Sequence, residues 1–568
     1  MVLLVFSAGC LGGTGSTGSP SQTSSSMKQT WSPNLSIVYP KSPRVINMTP
    51  DEGVKFLSGI NGDETAVIKG DLAIRYDGKR ILGHYEFTIT NLSKNSIYFI
   101  TVHLPENPTE FNISIEGHMV NLSRLVERRV ILGRTGSQGS YISVYEINFT
   151  PSAKTVHGVL NYSIGYPVFF STGITYIESP LTLWKIIGKV EGTTLTYSLP
   201  EGYTLVVPGF GAFTGSGRIK DQLSSDTLGI SYIYDGKVYV KKFSAAGMEV
   251  AAYIPEGQYN EDSWKTLKSI VESSLEFYVN TTNVKPTSNV LIVISPYYYR
   301  SFYWSPNTVV LSGREGLGPI LTKDPGAIPY ELSNLWFYDY ANFGVFTGAL
   351  TTYMELAALE RFGWMNAGYM IKKIETYVFR YGRSATIYQM VSEGLSSKRK
   401  EKEFVATVYI KGALVLRSLR FAIGEKAFYN GMHEALVKCH GMNCGLKDFE
   451  KALEEGSGED LGWFFNEWFN STLLPDYTLE NLSVIKEGDS YRLTFTLHDR
   501  SNFTMPVLIR VVMENNDFTD KRVWVKNGIA RITLTLDSKP TIIAIDPDND
   551  ILNVNRKFEV EGIEVDIS

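Results

Sequence analysis

The chain has 568 residues, which at roughly 150 residues per domain is enough for three or four domains. Its 43% apolar and 20% charged residues are typical of a globular protein and exclude a disordered one. A net charge of −5 leaves no basic surplus to neutralise phosphates, so we expect no nucleic-acid partner. No apolar run reaches about 18 residues, so we expect no transmembrane helix.

Residues 1–10 resemble a prokaryotic lipoprotein signal. A short apolar stretch is followed by small residues and then by Cys10, whose thiol is the site where lipid is attached after cleavage. Residues 11–27 are rich in Gly, Ser and Thr and predict a flexible tether. We therefore expect the protein to lie on the extracellular face of the cell membrane, held by its lipid. The alternative is a frayed N-terminus with a chance cysteine.

Asn-x-Ser/Thr sequons are dense in this chain and also favour an extracellular location. Some of them are expected to be glycosylated if the organism glycosylates its surface proteins. The eleven sequons begin at Asn34, Asn47, Asn91, Asn112, Asn121, Asn148, Asn161, Asn280, Asn470, Asn481 and Asn502.

The two cysteines after Cys10 are Cys439 and Cys444, which predict a disulfide closing a short loop outside the cell. A zinc site using His440 or His433 is the weaker alternative, because structural zinc usually takes four ligands and no second Cys/His pair is nearby. A third alternative, two free thiols, is less favoured than the disulfide and more favoured than the zinc site.

Hydrophobic periodicity predicts three folded domains. Residues 28–250 alternate between apolar and polar side chains and predict a β domain. Residues 251–475 have apolar side chains mostly at helical spacing, with two buried strands among the helices. Residues 476–568 alternate again and predict a C-terminal β-sandwich. The expected fold class is therefore multidomain α and β, with a mainly α domain between two β domains.

Three segments of the helical domain carry a family resemblance. Residues 328–337 read Ile-Pro-Tyr-Glu-Leu-Ser-Asn-Leu-Trp-Phe, residues 346–355 read Phe-Thr-Gly-Ala-Leu-Thr-Thr-Tyr-Met-Glu, and residues 409–412 read Tyr-Ile-Lys-Gly. They resemble the membrane alanyl aminopeptidases, peptidase family M1, whose zinc helix has the pattern His-Glu-Leu-x-His-x-Trp-Phe. The resemblance covers roughly residues 250–555. It implies a thermolysin-like (gluzincin) α domain and a zinc-dependent aminopeptidase as ancestor.

The resemblance places the family's functional positions on residues that depart from the pattern. The three zinc-ligand positions hold Tyr330, Asn334 and Gly348, while Glu331 stands at the general-base position and Tyr409 at the position of the transition-state tyrosine. A catalytic zinc of this class needs two imidazoles one helical turn apart and a carboxylate. The chain has seven histidines, none of them between residues 158 and 432. We therefore predict no zinc and no catalytic residues.

Three functions remain open from the sequence. The favoured hypothesis is a catalytically inactive module that binds a peptide or protein, or serves as a scaffold. The alternative is an active metallopeptidase that holds zinc or another metal through oxygen ligands such as Glu331, Asp339 and Glu355. The third hypothesis is a purely structural envelope protein, in which side chains such as Tyr330 and Phe346 fill the groove.

Membrane attachment can be tested directly at Cys10. Cys10→Ser removes the thiol to which lipid is attached, so we expect the variant to move from the membrane fraction to the soluble fraction. Ser16→Ala, in the tether, is the matched control and should leave the distribution unchanged. Fractionation that finds Cys10→Ser still in the membrane would contradict the lipoprotein prediction.

Overall fold

The computed structural model divides the chain into two compact units. One unit comprises residues 268–288 and 324–568, and the other comprises residues up to 267 together with 289–323. Cys10 and the tether at residues 11–27 lie outside the described part of the chain. The residues that the structure describes are 44–48, 66–92, 96–103, 110–119, 126–132, 140–148, 155–165, 189–296, 301–313, 316–394, 401–554, 556–560 and 562–567.

The N-terminal region is built from β-strands, as the alternating pattern predicts. In β3 the buried residues include Tyr85, Phe87 and Ile89, two positions apart on one face of the strand. The strands of this unit are β1 Arg44–Met48, β2 Val67–Tyr76, β3 Arg80–Thr90, β4 Ser96–His103, β5 Glu110–Ile115, β6 His118–Met119, β7 Val126–Leu132, β8 Ser140–Asn148, β9 Val156–Gly165, β10 Lys189–Ser198, β11 Tyr203–Val207, β12 Gly211–Thr214, β13 Ser216–Ser224, β14 Tyr232–Asp235, β15 Val238–Ala245, β16 Met248–Pro255, β17 Asn289–Ser295, β18 Phe302–Trp304 and β19 Thr308–Ser312.

These strands form four sheets. The largest has seven strands in the order β13-β10-β2-β3-β9-β5-β6, and the others have the orders β1-β7-β8-β4, β12-β11-β14 and β15-β16-β17-β19-β18. Gly83 lies opposite Tyr162 in the seven-stranded sheet, and a Cβ at Gly83 would come within 1.9 Å of the Tyr162 ring. The sheet therefore uses a glycine where an aromatic ring crosses the neighbouring strand.

The central region is helical. The α-helices in chain order are α1 Ser225–Ile230, α2 Glu261–Thr282, α3 Leu317–Lys323, α4 Ala327–Asn334, α5 Thr347–Phe362, α6 Ala367–Tyr381, α7 Ile387–Glu393, α8 Glu401–Phe404, α9 Gly412–Ile423, α10 Glu425–Lys438, α11 Leu446–Ser457 and α12 Gly462–Phe464. Three of them continue as π-helical turns, at Leu335–Tyr340, Val405–Lys411 and Phe465–Phe469. No helix in the described part of the chain is long and apolar enough to span a membrane.

The C-terminal region returns to β-structure. Its strands form two sheets, with the orders β20-β21-β24 and β23-β22-β25-β27-β26. The predicted succession of β, mainly α and β regions is thereby confirmed. The strands are β20 Tyr477–Glu487, β21 Ser490–Asp499, β22 Met505–Met513, β23 Phe518–Val525, β24 Ile529–Leu536, β25 Pro540–Ile545, β26 Arg556–Val560 and β27 Ile563–Ile567.

A buried polar network joins the helices to the turn that follows β25. Arg417 donates from Nε to Glu360 at 2.6 Å, and its Nη2 lies 3.2 Å from Asp550 Oδ1. Glu375 Oε1 accepts a hydrogen bond from Asn549 Nδ2 at 3.1 Å. Glu375 Oε2 and Asn549 Oδ1 are buried without a hydrogen-bond partner among the described residues. A proton on Glu375 would remove the cost of burying a charged carboxylate at this place.

Glu375 should therefore make the stability of the protein depend on pH. Burial raises its pKa to about 7, although the Asn549 amide, Arg417 and Lys372 oppose this rise. Since the folded state holds this proton more tightly than the unfolded state, the stabilisation is present at acid pH and is lost as the pH rises through about 7.

Glu375→Gln is a neutral mimic of the protonated acid. We expect its advantage in unfolding free energy over the natural protein to grow by up to about 3 kcal/mol between pH 5 and pH 8. Denaturant unfolding at the two pH values checks this. Glu459→Gln changes an exposed carboxylate and is the control. A Glu375→Gln effect that is the same at both pH values would contradict the prediction.

Candidate functional site

Helix α4 carries three of the family positions, and its apolar side fixes their orientation. Ile328, Leu332 and Trp336 are buried at helical spacing. Trp336 donates from Nε1 to the Val284 carbonyl at 2.9 Å. The hydroxyl of Tyr278 is within 3.1 Å of the carbonyl oxygens of Pro329 and Met354, so it ties α4 to α5. The position of the site is therefore set by buried contacts with the end of α2.

Tyr330, at the first ligand position, is held as a neutral phenol. Burial raises its pKa well above the usual value, and Tyr409 and Glu331 raise it further. The side chain of Thr351 on α5 lies near the Tyr330 hydroxyl and lowers its pKa slightly. A phenol that keeps its proton is a poor zinc donor, because metal ligands must be deprotonated.

Asn334, at the second ligand position, is turned towards its own helix. Its Nδ2 lies 3.3 Å from the carbonyl oxygens of both Tyr330 and Glu331. The amide thus caps carbonyl groups just before the π-helical turn, where the regular helical hydrogen bonds end. A side chain occupied in this way, and without an imidazole nitrogen, does not fit a zinc site.

Gly348, at the third ligand position, lies directly beneath the ring of Tyr409. A Cβ at Gly348 would stand 2.3 Å from Cε1 and 2.5 Å from Cδ1 and Cζ of that ring. Tyr409 comes from the π-helical turn Val405–Lys411, and burial raises its pKa to about 12. The structure therefore brings Tyr330, Gly348 and Tyr409 together, with the Tyr409 ring in the space that a side chain at 348 would need.

Lys411, two residues beyond Tyr409, is fully buried and donates from Nζ to the Ser471 carbonyl at 2.9 Å. Burial and, to a smaller extent, the nearby Arg383 lower its pKa to about 8. Next to it, Gly412 allows a close approach of helices, since a Cβ there would lie 2.7 Å from the Cβ of Ala349. The Tyr-Ile-Lys-Gly segment is thus accounted for by packing.

Glu331 lies near two further carboxyl groups. It is 5% exposed, and burial together with Asp324 and Glu331 raises the pKa of Glu355 well above its usual value. Gly326 lies against this group, since its Cβ would stand 2.4 Å from Glu355 Oε1. Asp324 was not among the predicted site residues, and its only signal in the sequence is the Asp-Pro-Gly turn that precedes α4.

The oxygen-ligand set of Glu331, Asp339 and Glu355 does not come together as a metal site. Within the part of the chain that the structure describes, no group of three His, Cys, Asp or Glu side chains is placed to hold a metal ion. His433, named above as a candidate ligand, is instead 2.8 Å from the Thr282 carbonyl through Nδ1.

Phe346, which the third hypothesis places in the groove, is fully buried in an aromatic cluster. Its ring lies 5.5 Å from that of Phe449 and 5.9 Å from that of Phe469. Phe343 also packs against Phe449. Phe346 therefore belongs to the core between helices, and Tyr409 is the side chain that packs against the third ligand position.

A disulfide between Cys439 and Cys444, with Cα atoms 5.9 Å apart, closes a loop beside the segment that follows α4. Gly441 donates its backbone N–H to the Tyr340 carbonyl at 2.9 Å, and Cys444 donates to the Asn342 carbonyl at 2.7 Å. The rings of His440 and Tyr340 stack at 4.0 Å. The loop thereby holds the connection between Asn334 and Gly348 in place.

Comparison with protein families matches residues 347–468 to the peptidase family M1 domain. Aminopeptidase N of Haemophilus influenzae is 31% identical over 91 residues, which are 16% of this chain and 10% of that protein. Aminopeptidase N of Streptomyces lividans is 27% identical over 154 residues, or 25% and 18% of the two chains. Probable aminopeptidase 1 of Sulfurisphaera tokodaii is 23% identical over 197 residues, or 32% and 24%. The matched segments thus span less than a quarter of these relatives.

Among solved structures, Legionella pneumophila aminopeptidase A in complex with aspartic acid is similar, with a TM-score of 0.52 and 14% identity. The match covers 89% of this chain and 61% of that one, and at this identity it shows the fold alone. Together with the family match, it supports the relationship to peptidase family M1 that the three sequence segments indicate.

The contact between Tyr409 and Gly348 can be tested by adding one methyl group. Gly348→Ala forces the ring to move in a packed interior, so we expect a loss of about 1–3 kcal/mol in unfolding free energy. Gly318→Ala is the matched control, because nothing lies within 4 Å of a Cβ at that helical glycine. In a Tyr409→Ala background, Gly348→Ala should cost less, which a double-mutant cycle by denaturant unfolding measures. Equal costs in both backgrounds would contradict the contact.

Proposed function

We propose that this chain is a non-catalytic relative of the M1 aminopeptidases, a peptide- or protein-binding or scaffold module tethered by lipid at Cys10 to the extracellular face of a prokaryotic membrane. The observation that supports the loss of catalysis is the packing of Tyr409 against Gly348. The binding role and the location are supported by the family relationship and by the sequence of residues 1–27.

The residues at the family positions do not fit a catalytic zinc. Such a site needs three protein donors and an open position for water. Here the three positions offer a neutral phenol, an amide directed to its own helix and a hydrogen atom. We therefore derive no catalytic step through a metal at this site.

Glu331 alone is not a sufficient base for water. A bound metal lowers the pKa of water to about 7 in such enzymes, and without the metal water is a far weaker acid. A carboxylate cannot remove a proton from such a weak acid at a useful rate. We therefore assign Glu331 to the buried polar groups of the site, next to Tyr330.

The alternative, an active metallopeptidase with oxygen ligands, receives no support from the geometry. Glu331 helps to raise the pKa of Glu355. Among the described residues, however, Asp339 does not form a group of metal-ligating side chains with these two. Elemental analysis separates the two proposals.

We expect no stoichiometric zinc in the purified protein and no hydrolysis of aminoacyl substrates above background, because the positions for the metal lack competent donors. Inductively coupled plasma mass spectrometry and a chromogenic aminoacyl assay measure both. About one zinc per chain, together with hydrolysis that a chelator abolishes, would overturn the proposal.

The same proposal can also be tested by introducing the family's three zinc ligands and measuring whether the protein then binds zinc. Tyr330→His, Asn334→His and Gly348→Glu supply the family's donors, but the glutamate meets the Tyr409 ring. We expect appreciable zinc uptake only when Tyr409→Ala is added, with the triple variant as matched control. Uptake by the triple variant alone would show that the ring does not close the position.

A further inference from the structure

The chain has more sequons than its composition explains. Eleven of its 30 asparagines begin one, whereas the share of Ser and Thr, about a sixth of all residues, leads to about five by chance. Turns can account for an asparagine, because this residue tolerates the left-handed backbone conformation. They do not account for a Ser or Thr two positions later. The excess therefore indicates that the complete Asn-x-Ser/Thr motif is favoured in this chain, and not asparagine alone.

The structure separates exposed sequons from sequons whose side chains are engaged. Asn112 and Asn161 are partly buried, and their side chains bond to each other. The other sequon asparagines whose side chains are described are exposed. They are Asn47, Asn91, Asn280, Asn470, Asn481 and Asn502.

Asn481 is an exposed sequon whose side chain the structure leaves open to solvent. It lies in β20, which is an edge strand paired only with β21. The register shifts by one residue between Glu480 and Ser483, so a bulge forms there, and Asn481 adopts φ +55°. Leu482 is buried beneath the bulge, while Asn481 points to solvent and makes no hydrogen bond to another described residue. Its amide nitrogen is therefore accessible to a transferase.

Asn161 shows the opposite case within β9. It lies opposite Asn112 of β5, to which it donates from Nδ2 at 3.0 Å. Its Oδ1 is 2.6 Å from Nδ1 of His84 on β3. A sugar on Nδ2 would displace these contacts from the middle of a seven-stranded sheet, whether it were added before or after folding. The fold is thus incompatible with glycosylation at this sequon.

Two other exposed sequons are less free than Asn481. Asn280 lies inside helix α2, where its backbone is held by helical hydrogen bonds. Asn470 is followed by Ser471, whose carbonyl holds Lys411 and whose hydroxyl accepts from the Leu473 N–H. The backbone of Asn481, by contrast, is already bent away from the ladder by the bulge.

We propose that Asn481 carries an N-linked oligosaccharide, an inference that rests on the proposed location outside the cell. In this reaction the side-chain nitrogen attacks the anomeric carbon of a lipid-phosphate-linked oligosaccharide. The bond from nitrogen to carbon forms, the bond from that carbon to the phosphate oxygen breaks, and the lipid phosphate leaves with the electron pair. The nitrogen gives up one proton and remains an amide.

Mass spectrometry of proteolytic peptides from protein purified from its native cells tests the proposal. We expect the peptide that contains Asn481 to carry the mass of a sugar chain, and the peptides that contain Asn112 and Asn161 to be unmodified. An unmodified Asn481 peptide, or sugar on Asn161, would overturn the inference.

Paired variants expressed in the same cells make the assignment specific. Ser483→Ala removes the sequon hydroxyl but leaves Asn481 in place, so we expect complete loss of sugar from that peptide and faster migration on a gel. Ser114→Ala makes the same change in the Asn112 sequon and should leave migration unchanged. Sugar that persists at Asn481 in Ser483→Ala would contradict sequon-directed transfer.

The result can be separated from the proposed lack of catalysis. Zinc content and hydrolysis of aminoacyl substrates are measured on the same preparation, and neither depends on sugar at Asn481. Zinc and activity in a glycosylated protein would overturn the proposed function and leave this inference standing. A protein with no sugar on Asn481 and no zinc would overturn this inference and leave the proposed function standing.

Discussion

Two glycines set how closely the helices of the central region approach, and the rest of the site depends on that distance. Gly348 leaves room for the ring of Tyr409, and Gly412 brings its helix against Ala349. With the helices this close, the partly buried ring of Tyr409 covers the buried Gly348 at the third ligand position. Interiors at this density do not yield to one added side chain without rearrangement. Loss of the ligands and closure of their space are therefore one structural change.

The chain treats buried charge differently at the site and at the junction with the C-terminal strands. Burial alone would raise the pKa of Glu360, but Arg417 and Arg420 bring it below the usual value. Burial raises the pKa of Glu355, and its carboxyl neighbours Asp324 and Glu331 raise it further. A carboxyl group that keeps its proton lowers the cost of burying the cluster. Ion pairs with arginine therefore stabilise the buried carboxylate at the junction, whereas the carboxyl group at the site is stabilised by keeping its proton.

The sequence predicts the periodic features well and the side-chain contacts poorly. Alternation in β3 indicates which residues are buried, and the resemblance places Tyr330, Asn334 and Gly348 at the former ligand positions. The sequence gives no reason to expect Tyr409 over Gly348, because that contact joins helices 61 residues apart in the chain. Phe346 was a reasonable choice for filling the pocket, but its direction depends on the tertiary packing of Phe449. Local patterns fix faces of helices and strands, and only the assembled fold fixes where a ring points.

The bulge at Asn481 also affects whether β20 can pair with a strand from another molecule. An edge strand offers unpaired backbone groups on which a strand from another molecule can add. In β20 the extra residue breaks the regular spacing of those groups, and the exposed Lys486 and Glu487 place charge at the end of the same strand. A second strand could pair over only a few residues before losing register. The strand is thus protected against aggregation by its backbone, independently of any sugar that it carries.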